Sequence, residues 1–316
     1  MGVSTKHRKF MEDDFDLEVF IKKQEKQTWY KTFHEKNQKL ISALKVMIVV
    51  FAFVIAYLSY TVISYYLEVW RNNTITQRAH EVNMLAQSAE SSSRAYAESM
   101  TPPPSEEARE NEIPFLAEAA ESKTAPPITE LVMNLRNTFK NDDIVGYLKI
   151  EGTKIDFPVV QGPDNSYYLT RDLTGKDNVS GAAFMDAAND SLNLGFNTIL
   201  YAHNMRDGSM FHDLRNYVDK AYYNTHSTIK FTTLLEETEW EIFSFYETTV
   251  DFNYIRTSFD SADEFNEFIL SPVKERSFYD TGVEVDKNDR VLTLSTCTNR
   301  IDDTRFVVHA KLSGQE

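Results

Sequence analysis

Val46 to Leu67, VMIVVFAFVIAYLSYTVISYYL, constrains this chain more than any other stretch. It is a charge-free run of about 22 residues, and at about 1.5 Å per residue a helix of that length matches the roughly 30 Å hydrocarbon core of a bilayer. A buried helix of a soluble protein carries a polar face, whereas the inner half of this run is apolar all round, so it reads as a membrane span. Tyr65, Tyr66 and Trp70 follow it as an interfacial belt. Ahead of it stand Lys22, Lys23, Lys26, Lys31, Lys36, Lys39 and Lys45, against Arg71 and Arg78 in the comparable stretch behind. Positive charge marks the cytoplasmic side, so the expected orientation is single-pass in the plasma membrane, with residues 1–45 in the cytoplasm and the bulk of the chain outside. The polar segment before the span is too long for the n-region of a cleaved signal peptide.

Residues 68–127 are rich in Ala, Ser, Glu and Gln and broken by Thr101-Pro102-Pro103-Pro104-Ser105 and Ala125-Pro126-Pro127, a composition that reads as a stalk, partly helical before Met100. Residues 128–316 read as the folded domain. Ile128, Leu131, Val132, Leu135 and Phe139 mark one face of a helix over Ile128 to Lys140. Short strands follow at Ile144 to Ile150, Lys154 to Val160, Ala182 to Asp186, Thr198 to His203, Ile229 to Thr233, Trp240 to Thr248, Val291 to Cys297 and Phe306 to Leu312. Turn residues at Gly152, Gly162-Pro163-Asp164-Asn165 and Gly181 punctuate them, and a helix over Ala262 to Lys274 interrupts the series. About eight short strands argue for an all-β domain, a closed barrel or a sandwich with peripheral helices, because both arrangements hide sheet edges.

A formal charge of −15 with no segregated basic patch argues against nucleic acid as a partner. The single cysteine, Cys297, excludes an intramolecular disulfide and a thiolate metal cluster. Free cysteines are most often inert core hydrophobes, yet an exported chain gains nothing obvious from one oxidisable thiol. A catalytic thiol needs a neighbouring base or cation, and Arg300 and Arg305 are the local cations. Of the seven histidines, His203 stands at a strand end as Cys297 does. His212 and His226 lack partners at metal-ligand spacing, so no metal site is expected, and His309 alternates with Val308 and Ala310 in a strand and reads as structural. Arg305 opens the strand after Cys297 across a polar turn, a hairpin geometry in which its guanidinium approaches the end of the cysteine strand. The residues alone leave open whether it stabilises an oxyanion or lies over an apolar edge.

Leu292-Thr293-Leu294-Ser295-Thr296-Cys297, followed by an arginine before the final strand, resembles the sortase signature, and Tyr201-Ala202-His203-Asn204-Met205 resembles its histidine strand. Ile155-Asp156-Phe157-Pro158-Val159-Val160-Gln161, Asp164-Asn165 with Leu169, Gly181 to Asp186 and the helix inserted before the cysteine strand resemble class B, over roughly Ile128 to Leu312. The resemblance implies a closed eight-stranded barrel, an N-terminal anchor and transpeptidation of surface-protein sorting signals in Gram-positive bacteria, with no cofactor or metal. By position it implies Cys297 as nucleophile, His203 as acid/base and Arg305 as transition-state stabiliser, with Arg300 as a rival. Asn165, Leu169, Tyr201, Tyr254, Ile255 and Ser295 match positions lining the signal-binding groove. Implied partners are the sorting signal, an amine of a peptidoglycan precursor or a pilin lysine, and the membrane. A membrane-tethered cysteine endopeptidase and a non-catalytic surface receptor are the alternative readings.

Overall fold

The computed structural model describes residues 17–100, 129–297 and 304–314. The expectations for residues 1–16, for the proline breaks between 101 and 128 and for the turn that holds Arg300 lie outside the described residues. The chain divides into two units, Met1–Ser64 and Tyr65–Glu316.

Helix α1 (Leu17–Met100) begins in the first unit and continues into the second. Within the first unit the apolar run exposes every large side chain, Phe51 at 65% and Phe53 at 72%. Water penalises such a surface and lipid does not, and this is a helix long and apolar enough to cross a membrane.

In the second unit α1 behaves differently. Ala79 and Ala86 are buried, and Ile75 and Val82 pack beside them. That spacing of four, three and four residues is one helical stripe, and its alanines let the helix backbone come close to the barrel. The stripe joins α2 (Glu130–Phe139), whose buried Leu131, Val132, Leu135 and Phe139 are the face that the sequence spacing predicts. α2 stops at Lys140, which adopts the left-handed region (φ 55°) and returns its N–H to the Arg136 carbonyl. The part of the expected stalk up to Ala86 is thus packed against the folded domain.

Among the described residues eight strands close into a barrel: β1 (Ile144–Lys149), β2 (Asp156–Val160), β3 (Ala183–Met185), β4 (Asn197–Tyr201), β5 (Thr228–Thr233), β6 (Glu237–Thr249), β7 (Val291–Cys297) and β8 (Thr304–Leu312). The order around the barrel is β1-β2-β3-β4-β7-β8-β6-β5, and β5 pairs with β1. Closure, rather than the sandwich alternative, leaves no unpaired sheet edge. β2/β3 and β4/β7 pair parallel; the other neighbours pair antiparallel.

Alternation sorts the side chains. Leu200, Leu292, Leu294, Phe306, Val308 and Ala310 fill the barrel interior with Trp240 and Phe231. Val291 and Val307 face outward and meet Phe265, Ile269 and Val273. Those three belong to the inserted helix: α4 (Ala262–Phe265), a π-helical turn (Asn266–Leu270) and α5 (Ser271–Arg276) run on without a break. Ser261 caps its start by accepting from the Glu264 N–H at 3.1 Å. Three elements go unmarked in the sequence reading: a 3₁₀ turn (Tyr167–Leu169), a 3₁₀ segment (Phe211–Val218) and α3 (Lys220–Thr225), the last capped by Asp219, which accepts from the Ala221 N–H at 2.8 Å.

Candidate active site

Strand register brings the three principal candidates to one end of the barrel. β4 and β7 run parallel with Tyr201 opposite Ser295, and His203 and Cys297 each follow two residues further on, at the same end of the barrel. The Ala202 N–H still reaches the Ser295 carbonyl at 3.4 Å. β8 returns antiparallel and places Arg305 opposite Cys297. Adjacent strands lie about 4.8 Å apart, so the three backbones are near neighbours although they come from distant parts of the sequence. Cys297 is described through this strand position; Arg300 lies outside the described residues.

His203 is half-buried and its ring is fixed by the chain. Its Nε2 lies 2.8 Å from the Leu169 carbonyl oxygen. A carbonyl only accepts, so Nε2 carries a proton, and whenever the ring is neutral its lone pair lies on Nδ1. The Phe211 N–H donates to the His203 carbonyl at 2.9 Å, which anchors the start of the following loop. Leu169 ends a short 3₁₀ turn (Tyr167–Leu169). Gly181 packs against that turn: a Cβ there would lie 2.6 Å from both the Leu169 and Tyr168 carbonyl oxygens, and its φ is +58°. Only glycine fits such a position without moving those carbonyls. Arg305, half-buried, donates from Nη1 to the Thr304 carbonyl at 3.0 Å and is also paired with Thr248 of β6.

The groove candidates fall into two groups. Asn165 and Tyr201 meet at Asp186: Asn165 Nδ2 and the Tyr201 hydroxyl each donate to Oδ2 at 2.9 Å, and Asn165 Oδ1 accepts from the Ala187 N–H at 2.8 Å. Burial, then the Asp186 charge, raise the Tyr201 pKa, so the phenol stays protonated as a donor. Leu169 is exposed. In the second group Tyr254 and Ser295 are buried, 4% and 2% exposed, with their hydroxyls 2.8 Å apart, whereas Ile255 between Tyr254 and Arg256 is 46% exposed.

A chain of buried hydrogen bonds supports this second group. Asn197 donates to the carbonyls of Tyr254 (3.0 Å) and Arg256 (2.9 Å) and accepts from the Thr293 hydroxyl at 2.6 Å. Thr293 has then spent its one proton, so it accepts from His309 Nδ1 at 2.9 Å, and His309 Nε2 accepts from the Tyr246 hydroxyl at 2.8 Å. His309 is therefore a neutral structural histidine, its pKa lowered to about 3 by burial. His212 Nδ1 donates to Asn204 Oδ1 at 2.8 Å, and His226 stacks on Tyr222. Among the described residues no His, Cys, Asp and Glu gather as a metal site. Sequence reasoning missed Asp186 and Asn197. Both are polar residues at the ends of apolar strands, the pattern by which His203 was singled out.

Residues 148–313 match the sortase domain family. Sortase B of Listeria monocytogenes serovar 1/2a is 44% identical over 174 residues, covering 54% of this chain and 70% of that protein. Sortase B of Staphylococcus aureus is 39% identical, covering 54% and 71%. The solved Staphylococcus aureus sortase B–substrate complex superposes with a TM-score of 0.54 at 37% identity, over 57% of this chain and 85% of that one. The barrel, its strand order and these likenesses agree: the chain belongs to the sortase family of cysteine transpeptidases, and within it to class B.

Proposed function

We propose that this protein is a membrane-anchored sortase that cleaves a C-terminal sorting signal through a thioester on Cys297 and passes the acyl group to an amine of a cell-wall precursor or a pilin lysine. The observation that supports this reading is the register: Tyr201 pairs with Ser295, two residues before His203 and Cys297, and Arg305 pairs with Cys297. The Cys297 thiolate attacks the scissile carbonyl, and the oxyanion that forms is stabilised by the Arg305 guanidinium. The C–N bond breaks as His203, in its imidazolium form, gives its proton to the leaving amine. An incoming amine then attacks the thioester, its proton passes back to His203, and the C–S bond breaks to release the amide and the thiolate. Asn165, Leu169, Tyr201 and Ile255 offer the groove surface for the signal, with Tyr254 and Ser295 supporting it from below.

Two named complexes support the partner classes: the sortase B bound to substrate, and a sortase B complexed with triglycine, 37% identical to this chain. The lysines ahead of the span support a cytoplasmic N-terminus and an extracellular catalytic domain, where an anchored enzyme and anchored substrates share one surface at raised effective concentration. The test is to incubate the full chain with a sorting-signal peptide and triglycine. A transpeptidase yields the triglycine amide; mostly free acid would instead favour the endopeptidase, and no cleavage the receptor.

A further inference from the structure

The first turn of α1 after the span grips one loop of the barrel. Arg71 Nε lies 3.2 Å from Asp172 Oδ2, and Arg71 Nη2 donates to the Asp177 carbonyl. One turn earlier Glu68 Oε2 accepts from the Val179 N–H at 3.0 Å. The loop they hold is stitched into a hairpin by the Asn178 N–H on the Thr170 carbonyl and the Asp172 N–H on the Lys176 carbonyl, both 2.9 Å. Asp172 is fully buried, and its Oδ1 is spent on Thr174 and Lys176, which leaves Oδ2 to the arginine of α1. A buried carboxylate needs such a partner, and losing it disturbs whatever the carboxylate organises.

What it organises leads to the candidate site. The hairpin grows directly from Leu169 and returns through Gly181 to Ala182, whose N–H donates to the Tyr168 carbonyl at 3.0 Å. The Leu169 carbonyl is the group that fixes the Nε2–H form of His203. Helix, loop, carbonyl and imidazole are thus joined by contiguous contacts.

We propose that Arg71, seconded by Glu68, is a positioning residue for the reaction: through the Asp172 hairpin it holds the Leu169 carbonyl that sets the orientation and tautomer of His203. The inference rests on the reading of His203 as the acid/base. It makes the first turns of α1 after the span a working part of the catalytic domain.

The experiment uses the full chain in detergent, with Arg71→Ala, Arg71→Lys, Glu68→Gln, His203→Ala and the control His80→Ala. His80 pairs with Asp156 at 3.0 Å and so touches the barrel without touching the loop. Sorting-peptide kinetics give kcat and KM against pH, and ¹⁵N shifts of labelled histidine report the His203 tautomer without needing turnover. Arg71→Ala is expected to lower kcat about ten- to hundredfold with KM nearly unchanged. It should also shift the histidine limb of the pH profile and mix the two tautomers. Arg71→Lys restores part of kcat, and His80→Ala leaves kcat and tautomer alone.

An unchanged tautomer and kcat in Arg71→Ala, while His203→Ala is inactive, would overturn the proposal and spare the catalytic reading. Full turnover by His203→Ala would overturn both. If Arg71→Ala does not fold, Arg71→Lys and Glu68→Gln decide by the same readouts.

Discussion

Gly181→Ala is a one-carbon change with a calculable reach. At φ +58° an alanine pays about 1–2 kcal/mol for the left-handed backbone. Its Cβ would also fall 2.6 Å from the Tyr168 and Leu169 carbonyl oxygens, both backbone atoms, so the turn must shift. That shift weakens the Ala182 N–H bond to Tyr168 and the His203 Nε2 bond to Leu169, each contributing about 0.5–1.5 kcal/mol. The total is roughly 2–5 kcal/mol, or about 4–20 °C in Tm for a domain of this size. Gly195→Ala is the control, because a Cβ there meets nothing within 4 Å. Thermal unfolding and peptide turnover are measured on both, well below either melting point. Gly181→Ala should melt lower and, while still folded, turn over more slowly than its folded fraction explains. A melting point and kcat equal to those of Gly195→Ala would refute the argument that Leu169 sets His203.

Three further outcomes are expected. His309 titrates near 3 when folded and near 6.5 when unfolded, so between those values the unfolded chain binds the extra proton. Its contribution is intact above pH 6.5 and falls by about 1.4 kcal/mol per unit as pH drops, roughly 2 kcal/mol by pH 5; denaturant titrations of His309→Gln should show a shallower acid slope than the native chain, and equal slopes would contradict this. Asp186→Ala removes the acceptor shared by Asn165 and Tyr201, and steady-state kinetics should show KM for the sorting peptide raised about tenfold with a smaller change in kcat. Asn197→Leu strands the carbonyls of Tyr254 and Arg256 and the Thr293 hydroxyl, a loss of about 2–4 kcal/mol, and limited proteolysis should cut near Ile255 sooner than in the native chain.

All eight strands were legible in the sequence, because period-two alternation and turn residues report local backbone directly: Val291 to Cys297 was placed to the residue. Alternation alone did not separate barrel from sandwich, since closure depends on β5 meeting β1 across a long separation; the strand-end motifs, through the family resemblance, did. The 3₁₀ segment around Phe211 went unseen because its buried Phe211, Leu214 and Tyr217 sit at three-residue spacing too short to mark a helix face. The docked part of α1 was hidden differently. Ile75, Ala79, Val82 and Ala86 carry a helical stripe, but two alanines give it little hydrophobicity, and the surrounding Ser, Glu and Gln read as a linker. At the candidate site, residue types and strand ends pointed to Cys297, His203 and Arg305. Asp186 and Asn197 share the strand-end pattern, but what they do depends on partners from other elements, and those the local sequence does not display.

Intact-mass spectrometry of the full chain with a sorting-signal peptide tests the central claim most directly. The account predicts a covalent acyl adduct on Cys297 that triglycine discharges, and no adduct in Cys297→Ala. An adduct that survives in Cys297→Ala, or peptide cleavage by that variant at the native rate, would contradict it.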